Sequence, residues 1–344
     1  MHIQCPRRIA LYARVFYGGG VERVLVNLAK GFLRQGFQVD LVLNTPGGHY
    51  TEQIPSAVRV IDLAAPRMAM AMPKLSQYLR QERPQVLLAS QHYTNEVAIA
   101  AKHLSRGPTR VYVSEHNGFP RQGRHQTPAK WAALGARLTY PLADGAIAVS
   151  QGVADDLHRM TGYPRSQIQM IYNPVITPEL YTQAKAPVAR HWFQPGQPPV
   201  VMGIGRLVAQ KDFVTLIHAF AQVRQQRDCR LVILGNGPAH SQLETLAQSL
   251  GIAQDFALLG FTENPYAYLS RASAFVLTSA WEGLGNVLIE ALALNVPVIS
   301  TDCEYGPREI LNDGKYGILV PVGDRAAIAA GVLGAFDRPA PVDP

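Results

Sequence analysis

The chain has 344 residues, 47% of them hydrophobic and 17% charged, with a formal net charge of +7. That length suffices for two domains of ordinary globular α/β composition, and the lack of any run of 18 or more apolar residues excludes a spanning helix. The charge is uneven: residues 1–178 carry 20 Lys/Arg against 10 Asp/Glu, whereas residues 179–344 carry 12 against 15.

A basic half suits nucleic acid, an anionic membrane surface or an anionic acceptor. No nucleic-acid motif is present, so no nucleic-acid partner is expected and the membrane or acceptor reading is preferred. Met1–Arg8 lacks the apolar core of a signal peptide. Cys5, Cys229 and Cys303 have neither metal-ligand spacing nor an evident pairing partner, which fits a reducing cytoplasm.

Ile9–Tyr12 reads as a buried strand, followed by the turn Gly18-Gly19-Gly20 and a helix over Val24–Leu33, with a second strand at Phe37–Leu43. This is a βαβ unit of a doubly wound domain. It is not a dinucleotide fingerprint, because Arg23 stands at the third glycine position and Asp40 lies early in the second strand. Gly19 and Gly20 instead let the backbone approach a donor phosphate or an acceptor. Val58–Leu63 reads as a strand, Met68–Pro73 as an apolar loop, Lys74–Glu82 as a helix and Gln85–Ser90 as a strand. Gln91–Asn95 is polar at a strand's carboxyl end, where doubly wound sheets place ligands. After strand Thr109–Val113 comes Glu115-His116-Asn117, a candidate polar site in which the imidazole can donate or accept. Trp131, Leu134 and Leu138 share a helical face, read as core packing in preference to an interfacial helix with basic flanks.

Residues 176–198 read as a linker because of Pro178, Pro187, Pro195 and Pro198. A second sheet begins at Pro199–Ile204. The loop Gly205-Arg206-Leu207-Val208-Ala209-Gln210-Lys211 follows, and its two cations can clamp a diphosphate. Strands at Arg230–Leu234, Phe256–Phe261 and Ala274–Thr278 lead to Trp281-Glu282-Gly283-Leu284-Gly285-Asn286-Val287-Leu288-Ile289-Glu290. Glu282 falls in a turn loosened by Gly283 and Gly285, and a helix starts near Asn286. Glu290 then lies roughly 6 Å along that helix. The helix N-terminus between the two carboxylates suits phosphate, and the carboxylates suit hydroxyl groups on either side of it. Glu290 has apolar neighbours, so its carboxylate needs a partner.

The Glu282-x7-Glu290 pair, with Gly283, Gly285 and Pro297-Val298, resembles the signature of the retaining glycosyltransferases of family 4, which have the GT-B fold. The resemblance extends over almost the whole chain. It implies an acceptor-side Rossmann-like domain at 1–175 and a nucleotide-sugar-binding domain at 199–344, two doubly wound α/β domains facing a cleft. It implies that Arg206 and Lys211 bind the donor diphosphate, with amides from Gly285 to Leu288. By the same resemblance Glu282 holds sugar hydroxyls, Glu290 the ribose, and Gly260 and Phe261 the base through backbone groups, while His116 faces the reacting sugar. The expected reaction moves a hexose from a nucleotide diphosphate sugar, UDP-sugar favoured, to a glycan, polyprenyl-linked or glycolipid acceptor. No Asp-x-Asp occurs in the chain, so no metal and no cofactor is expected and the protein cations take the metal's role. The expected location is the cytoplasm, with peripheral contact at an anionic membrane. A nucleotide-sugar epimerase of the same fold and a non-enzymatic nucleotide-sugar binder are the rival readings. The family usually ends in further helices, whereas this chain stops at Pro344 after one, Arg325–Phe336.

Overall fold

The computed structural model describes residues 7–16, 19–48, 50–118 and 129–337. The chain divides into two compact units, Met1–Pro174 and Val175–Pro344. Gly18, Cys5 and the basic stretch 119–128 lie outside the described residues.

The first unit alternates strand and helix: β1 (Arg8–Ala13), α1 (Gly20–Arg34), β2 (Gln38–Leu43), β3 (Arg59–Asp62), α2 (Met68–Glu82), β4 (Val86–Ser90), α3 (His92–Ser105), β5 (Arg110–Glu115), α4 (Ala129–Thr139), β6 (Gly145–Ala148), α5 (Gln151–Thr161) and β7 (Ile168–Met170). Its seven strands are parallel in the order β3-β2-β1-β4-β5-β6-β7. The order reverses between β1 and β4, where ligands bind in open sheets of this kind. The apolar runs of β1 and β2 are buried almost throughout, as a sheet covered on both faces requires.

Asp40 has a structural role here. It is 2% exposed and accepts from Arg59 Nη2 at 2.6 Å and from Tyr78 Oη at 2.6 Å. These bonds tie β2 to β3 and α2.

Two expectations for this unit are corrected. Met68–Pro73 is the first part of α2, which runs through Pro73. Methionine and alanine are strong helix formers, and Ala71, Leu75 and Leu79 bury one face of the same helix, which outweighs the proline. On α4, Leu134 and Leu138 are not core, being 47% and 68% exposed; the side chain of Trp131 lies outside the described residues. Ala136, fully buried, faces inward instead, because a helix lying beside α3 and α5 covers only one side.

The second unit contains α6 (Pro178–Ala184), β8 (Val200–Ile204), α7 (Phe213–Gln226), β9 (Arg230–Leu234), α8 (His240–Ser249), β10 (Phe256–Leu258), α9 (Pro265–Leu269), β11 (Ala274–Leu277), α10 (Asn286–Ala293), β12 (Val298–Thr301), α11 (Pro307–Ile310), β13 (Ile318–Val320) and α12 (Arg325–Phe336). Its six strands are parallel in the order β10-β9-β8-β11-β12-β13, reversing between β8 and β11. Side chains alternate between two cores, as the twofold period of a strand dictates. Val201, Leu231, Ile233, Val276 and Ile299 join α7 and α12 on one face. Val200, Met202, Val232, Phe275 and Leu277 join α10 on the other. Residues 176–198 are more than a linker: within them α6 packs Leu180 and Ala184 against Tyr266.

Candidate functional site

The turns after β8, β9, β10, β11 and β12 form one bonded layer. Gly205 N–H donates to Leu234 O at 2.9 Å, Leu207 N–H to Asn236 O at 2.9 Å, and Gly235 N–H to Gly260 O at 2.7 Å. Ala280 N–H donates to Gln210 O at 2.8 Å, and Glu282 N–H to Glu304 O at 3.1 Å. Glycine makes this possible. A Cβ on Gly235 would lie 1.9 Å from Gly205 O, and one on Gly306 would lie 1.9 Å from Leu284 O.

At the β8/β11 switch point this layer holds a buried ion pair. Lys211 Nζ donates to Glu282 Oε1, and Ser279 Oγ donates to the same oxygen at 2.6 Å. Glu282 is 6% exposed. Thr278 Oγ1 donates to Lys211 O at 2.8 Å, and Gln210 Nε2 to Trp281 O at 2.9 Å, so both partners are fixed at their backbones. Lys211 also runs along Gly205, whose missing side chain leaves room for its methylenes. Arg206, in the same loop, is exposed. Behind the pair, burial and the charge of Glu282 push the Cys303 thiol up to about 12.

Gly285 caps α10 in the left-handed region, at φ +92°. Gly283 is not in that region; of the two glycines only Gly285 meets the conformational expectation. The cap leaves the first amides of α10, from Asn286 to Leu288, at the helix's positive end. Leu284 and Leu288 are buried, Leu288 within the core, so a ligand does not meet their side chains; Leu288 N–H already donates to Gly285 O at 2.9 Å. Glu290 is 2% exposed and accepts from Tyr266 Oη at 3.2 Å. The partner that its apolar context demanded therefore comes from α9. Gly260 adopts φ +72° beside Asn236, and Phe261 is half-buried next to it.

In the first unit, Gly19 is the extended N-cap of α1 and Gly20 its first residue. Glu115 is the last residue of β5, and His116 follows it, 8% exposed. Ser114 Oγ and His116 Nε2 lie 3.1 Å apart. Burial lowers the His116 pKa from 6.5 to about 4, so the ring is neutral near pH 7. Glu115 accepts from Tyr140 Oη and from Asn95 Nδ2 at 3.0 Å, with His92 Nδ1 3.8 Å away. Burial alone would lower His92, but the hydrogen bond and charge of Glu115 and the charge of Glu96 outweigh it and raise the ring's pKa.

The sequence pointed to Gln91–Asn95 as polar, but not to its union with Glu115 and Tyr140, which lie 20 and 45 residues from Asn95. Ser279, Gln210 and Tyr266 were also missed. Only Ser279 carried a signal, a hydroxyl three residues before an acid at the end of a strand. Two concavities of about 270 and 310 Å³ open elsewhere on the second unit, lined by residues such as Glu244 and Phe256, or Pro199 and Phe336. Neither contains a predicted site residue.

The neutral His116 has a consequence for stability. The unfolded ring takes its proton near 6.5 and the folded ring only near 4, so this contribution is complete above about 6.5 and is lost as pH falls toward 4. The loss by pH 4 is about 3 kcal/mol. Urea unfolding of wild type and His116→Gln between pH 7 and pH 4 checks this: the variant's acid-side slope will be shallower.

Comparisons with known proteins bear on the family and the fold. Residues 188–340 match the family model described as "Glycosyl transferases group 1". Residues 18–178 match the model described as "Glycosyltransferase Family 4". The chain is 27% identical over 341 residues to the N-acetylgalactosamine-N,N'-diacetylbacillosaminyl-diphospho-undecaprenol 4-alpha-N-acetylgalactosaminyltransferase of Campylobacter jejuni, covering 95% of this chain and 89% of that one. It is 27% identical to the lipopolysaccharide core biosynthesis glycosyltransferase LpsE of Rhizobium meliloti, covering 91% and 84%. Among solved structures, Anabaena HepE in complex with UDP and glucose superposes with a TM-score of 0.76 at 19% identity, covering 96% of this chain and 90% of that one. At that identity the superposition speaks for the fold alone.

Proposed function

We propose, from the premise that the chain is a glycosyltransferase of the two-domain GT-B type, that it transfers a hexose unit from a nucleotide diphosphate sugar, UDP-sugar favoured, with retention of anomeric configuration. The acceptor is a lipid-linked or other cell-surface glycan, the class named for the Campylobacter and Rhizobium relatives, approached at an anionic membrane surface. The observation that carries the reading is the Lys211–Glu282 pair at the β8/β11 switch point, beside a helix capped by Gly285.

In that arrangement Arg206 and Lys211 neutralise the departing diphosphate, together with the amides from Gly285 to Leu288. Charge developing on a leaving group is best met by fixed donors, and the main chain of Lys211 is held by Thr278 Oγ1, which donates to Lys211 O at 2.8 Å. Donor binding loosens the Lys211–Glu282 bond: Lys211 turns to the phosphate and Glu282 accepts from sugar hydroxyls. Glu290 offers its carboxylate to the ribose while keeping Tyr266. Gly260 and Phe261 contact the base through their backbone groups, and Gly19 and Gly20 let the first unit's backbone approach the ligands. His116, neutral near pH 7, orients the donor or acceptor as a hydrogen-bonding group and not as a cation. The protein cations do the work of a metal, so chelator leaves turnover unchanged.

The test is a panel of UDP-, GDP- and ADP-hexoses. One donor will raise the melting temperature with its concentration and will be slowly hydrolysed, releasing the sugar with its anomeric configuration kept, as read by NMR. An isomerised nucleotide sugar would instead identify an epimerase. Binding without turnover, even with lipid-linked acceptors, would identify a sensor.

A further inference from the structure

We infer that the outer edge of β10 carries a second binding site, which takes the carboxylate and hydroxyl groups of an acidic sugar such as a hexuronate. Among the described strands β10 pairs only with β9 and ends the second sheet. Leu259 N–H donates to Ile233 O at 3.0 Å, so by the alternation of a strand the main-chain groups of Phe256 and Leu258 turn away from β9. The concavity of about 270 Å³ lies against this edge, with Glu244 and Gln248 of α8 in its wall and Arg190 as its cation. Arg190 is the unusual member. Its Cζ lies 4.0 Å from the centroid of the Trp192 ring, a stacking contact that steadies the guanidinium. Its Nε is buried with no hydrogen-bond partner, and no carboxylate among the described residues pairs with it. Arg230 also approaches Trp192, at 5.9 Å, but has Asp228 at 2.7 Å and Asp255 at 2.8 Å. Burial lowers the Arg190 pKa against a weaker opposing pull from Tyr268. A partly buried cation calls for an acceptor, and the space beside this one is open.

The walls narrow the ligand. A guanidinium fork fits a carboxylate or a phosphate. Glu244 lines the same cavity, half exposed, with His240 Nδ1 at 3.3 Å. Its charge disfavours a doubly charged phosphate and favours groups that donate to it, such as hydroxyls. Gln248 can donate and accept, and Phe256 and Leu258 offer apolar surface to the C–H face of a ring. One carboxylate, several hydroxyls and an apolar face together describe a sugar acid. An amino acid could set its ammonium on Glu244 but would leave Gln248 and the apolar wall with less to hold. The volume is just below the roughly 300–1,000 Å³ of pockets for drug-sized ligands, which suits a single monosaccharide unit. This site goes beyond the donor and acceptor reading given above and uses none of its residues.

Isothermal titration of the full chain with glucuronate, methyl glucuronide, glucose, glutamate and inorganic phosphate tests it. Glucuronate will bind about tenfold or more tighter than glucose, glutamate or phosphate, the size of one charged hydrogen bond. Binding of methyl glucuronide as well indicates a unit borne on a glycan, and binding of glucuronate alone a free sugar acid; either result supports the site. Arg190→Leu will lose about tenfold or more of the affinity, and Arg190→Lys, which keeps the charge without the fork, will fall between it and wild type. Gln248→Leu, at an exposed position on α8, will lose about threefold. Urea midpoints close to that of wild type will show these variants folded. No binding of glucuronate, a preference for glutamate or phosphate, or an Arg190→Leu variant that binds as wild type does overturns the inference. So does displacement of glucuronate by a nucleotide sugar, since the sugar acid would then sit at the Lys211–Glu282 site. Glucuronate binding in a chain that no nucleotide sugar stabilises would sink the donor reading and leave this site standing.

Discussion

Lys211→Met will lower both turnover and stability, and the two losses will separate on addition of a second change. The lysine holds Glu282, which is 6% exposed and has Ser279 Oγ as its other close donor. Removing one partner of a buried pair costs about 3–5 kcal/mol, because a charge is left behind. Removing a fixed donor from a developing oxyanion costs about 2–4 kcal/mol of barrier, or roughly 30- to 1,000-fold in kcat. Lys211→Met/Glu282→Gln removes the stranded charge, so it will regain most of the stability in urea unfolding. It will not regain turnover, since neither the phosphate cation nor the sugar carboxylate is restored. A double variant that recovers both would mean that the pair is only a fastening between the β8 and β11 turns.

Gly306→Ala and Gly235→Ala will each destabilise the second unit by about 4 kcal/mol or more, among the larger losses a single side chain can cause. Both residues combine a left-handed backbone, at φ +85° and +138°, with a Cβ position 1.9 Å from a carbonyl oxygen. Neither obstacle is a flexible side chain; Leu284 O and Gly205 O belong to the turns that carry Glu282 and Arg206. Gly323→Ala is the control. Its φ is +79° but nothing lies within 4 Å, so only the local backbone strain of about 1–2 kcal/mol remains. Urea midpoints of the three variants check the ranking, and equal midpoints would mean that the turns can move apart without harm.

The alternation of apolar runs with helical segments was legible in the sequence because a buried parallel strand has few other ways to be written. The runs at Ile9, Val200 and Ala274 all became central strands. Asn286 opened α10 where the glycines before it suggested. The pairings were not legible, because they depend on which turns the sheet order brings together. Lys211 and Glu282 lie 71 residues apart, and only the adjacency of β8 and β11 joins them. Tyr266 meets Glu290 through the packing of a short helix of five residues. Periodicity also failed to say which side of α4 faces inward. A leucine stripe reads as core by default, yet the small side of that helix, Ala136 and Gly135, faces its neighbours, with Gly135 leaving the room that Glu96 occupies.

The bonded layer of turns over the second sheet bears on how a ligand would be met. Main-chain hydrogen bonds already join its turns to one another, from Gly205 and Gly235 through Gly260 to Glu282 and Glu304. The conformational entropy of ordering those turns was therefore surrendered when the unit folded, and little of it is left to lose on association. Such a surface is preorganised. Encounter with a small anion would be limited by diffusion and by the attraction of Arg206, with loop closure contributing little to the rate.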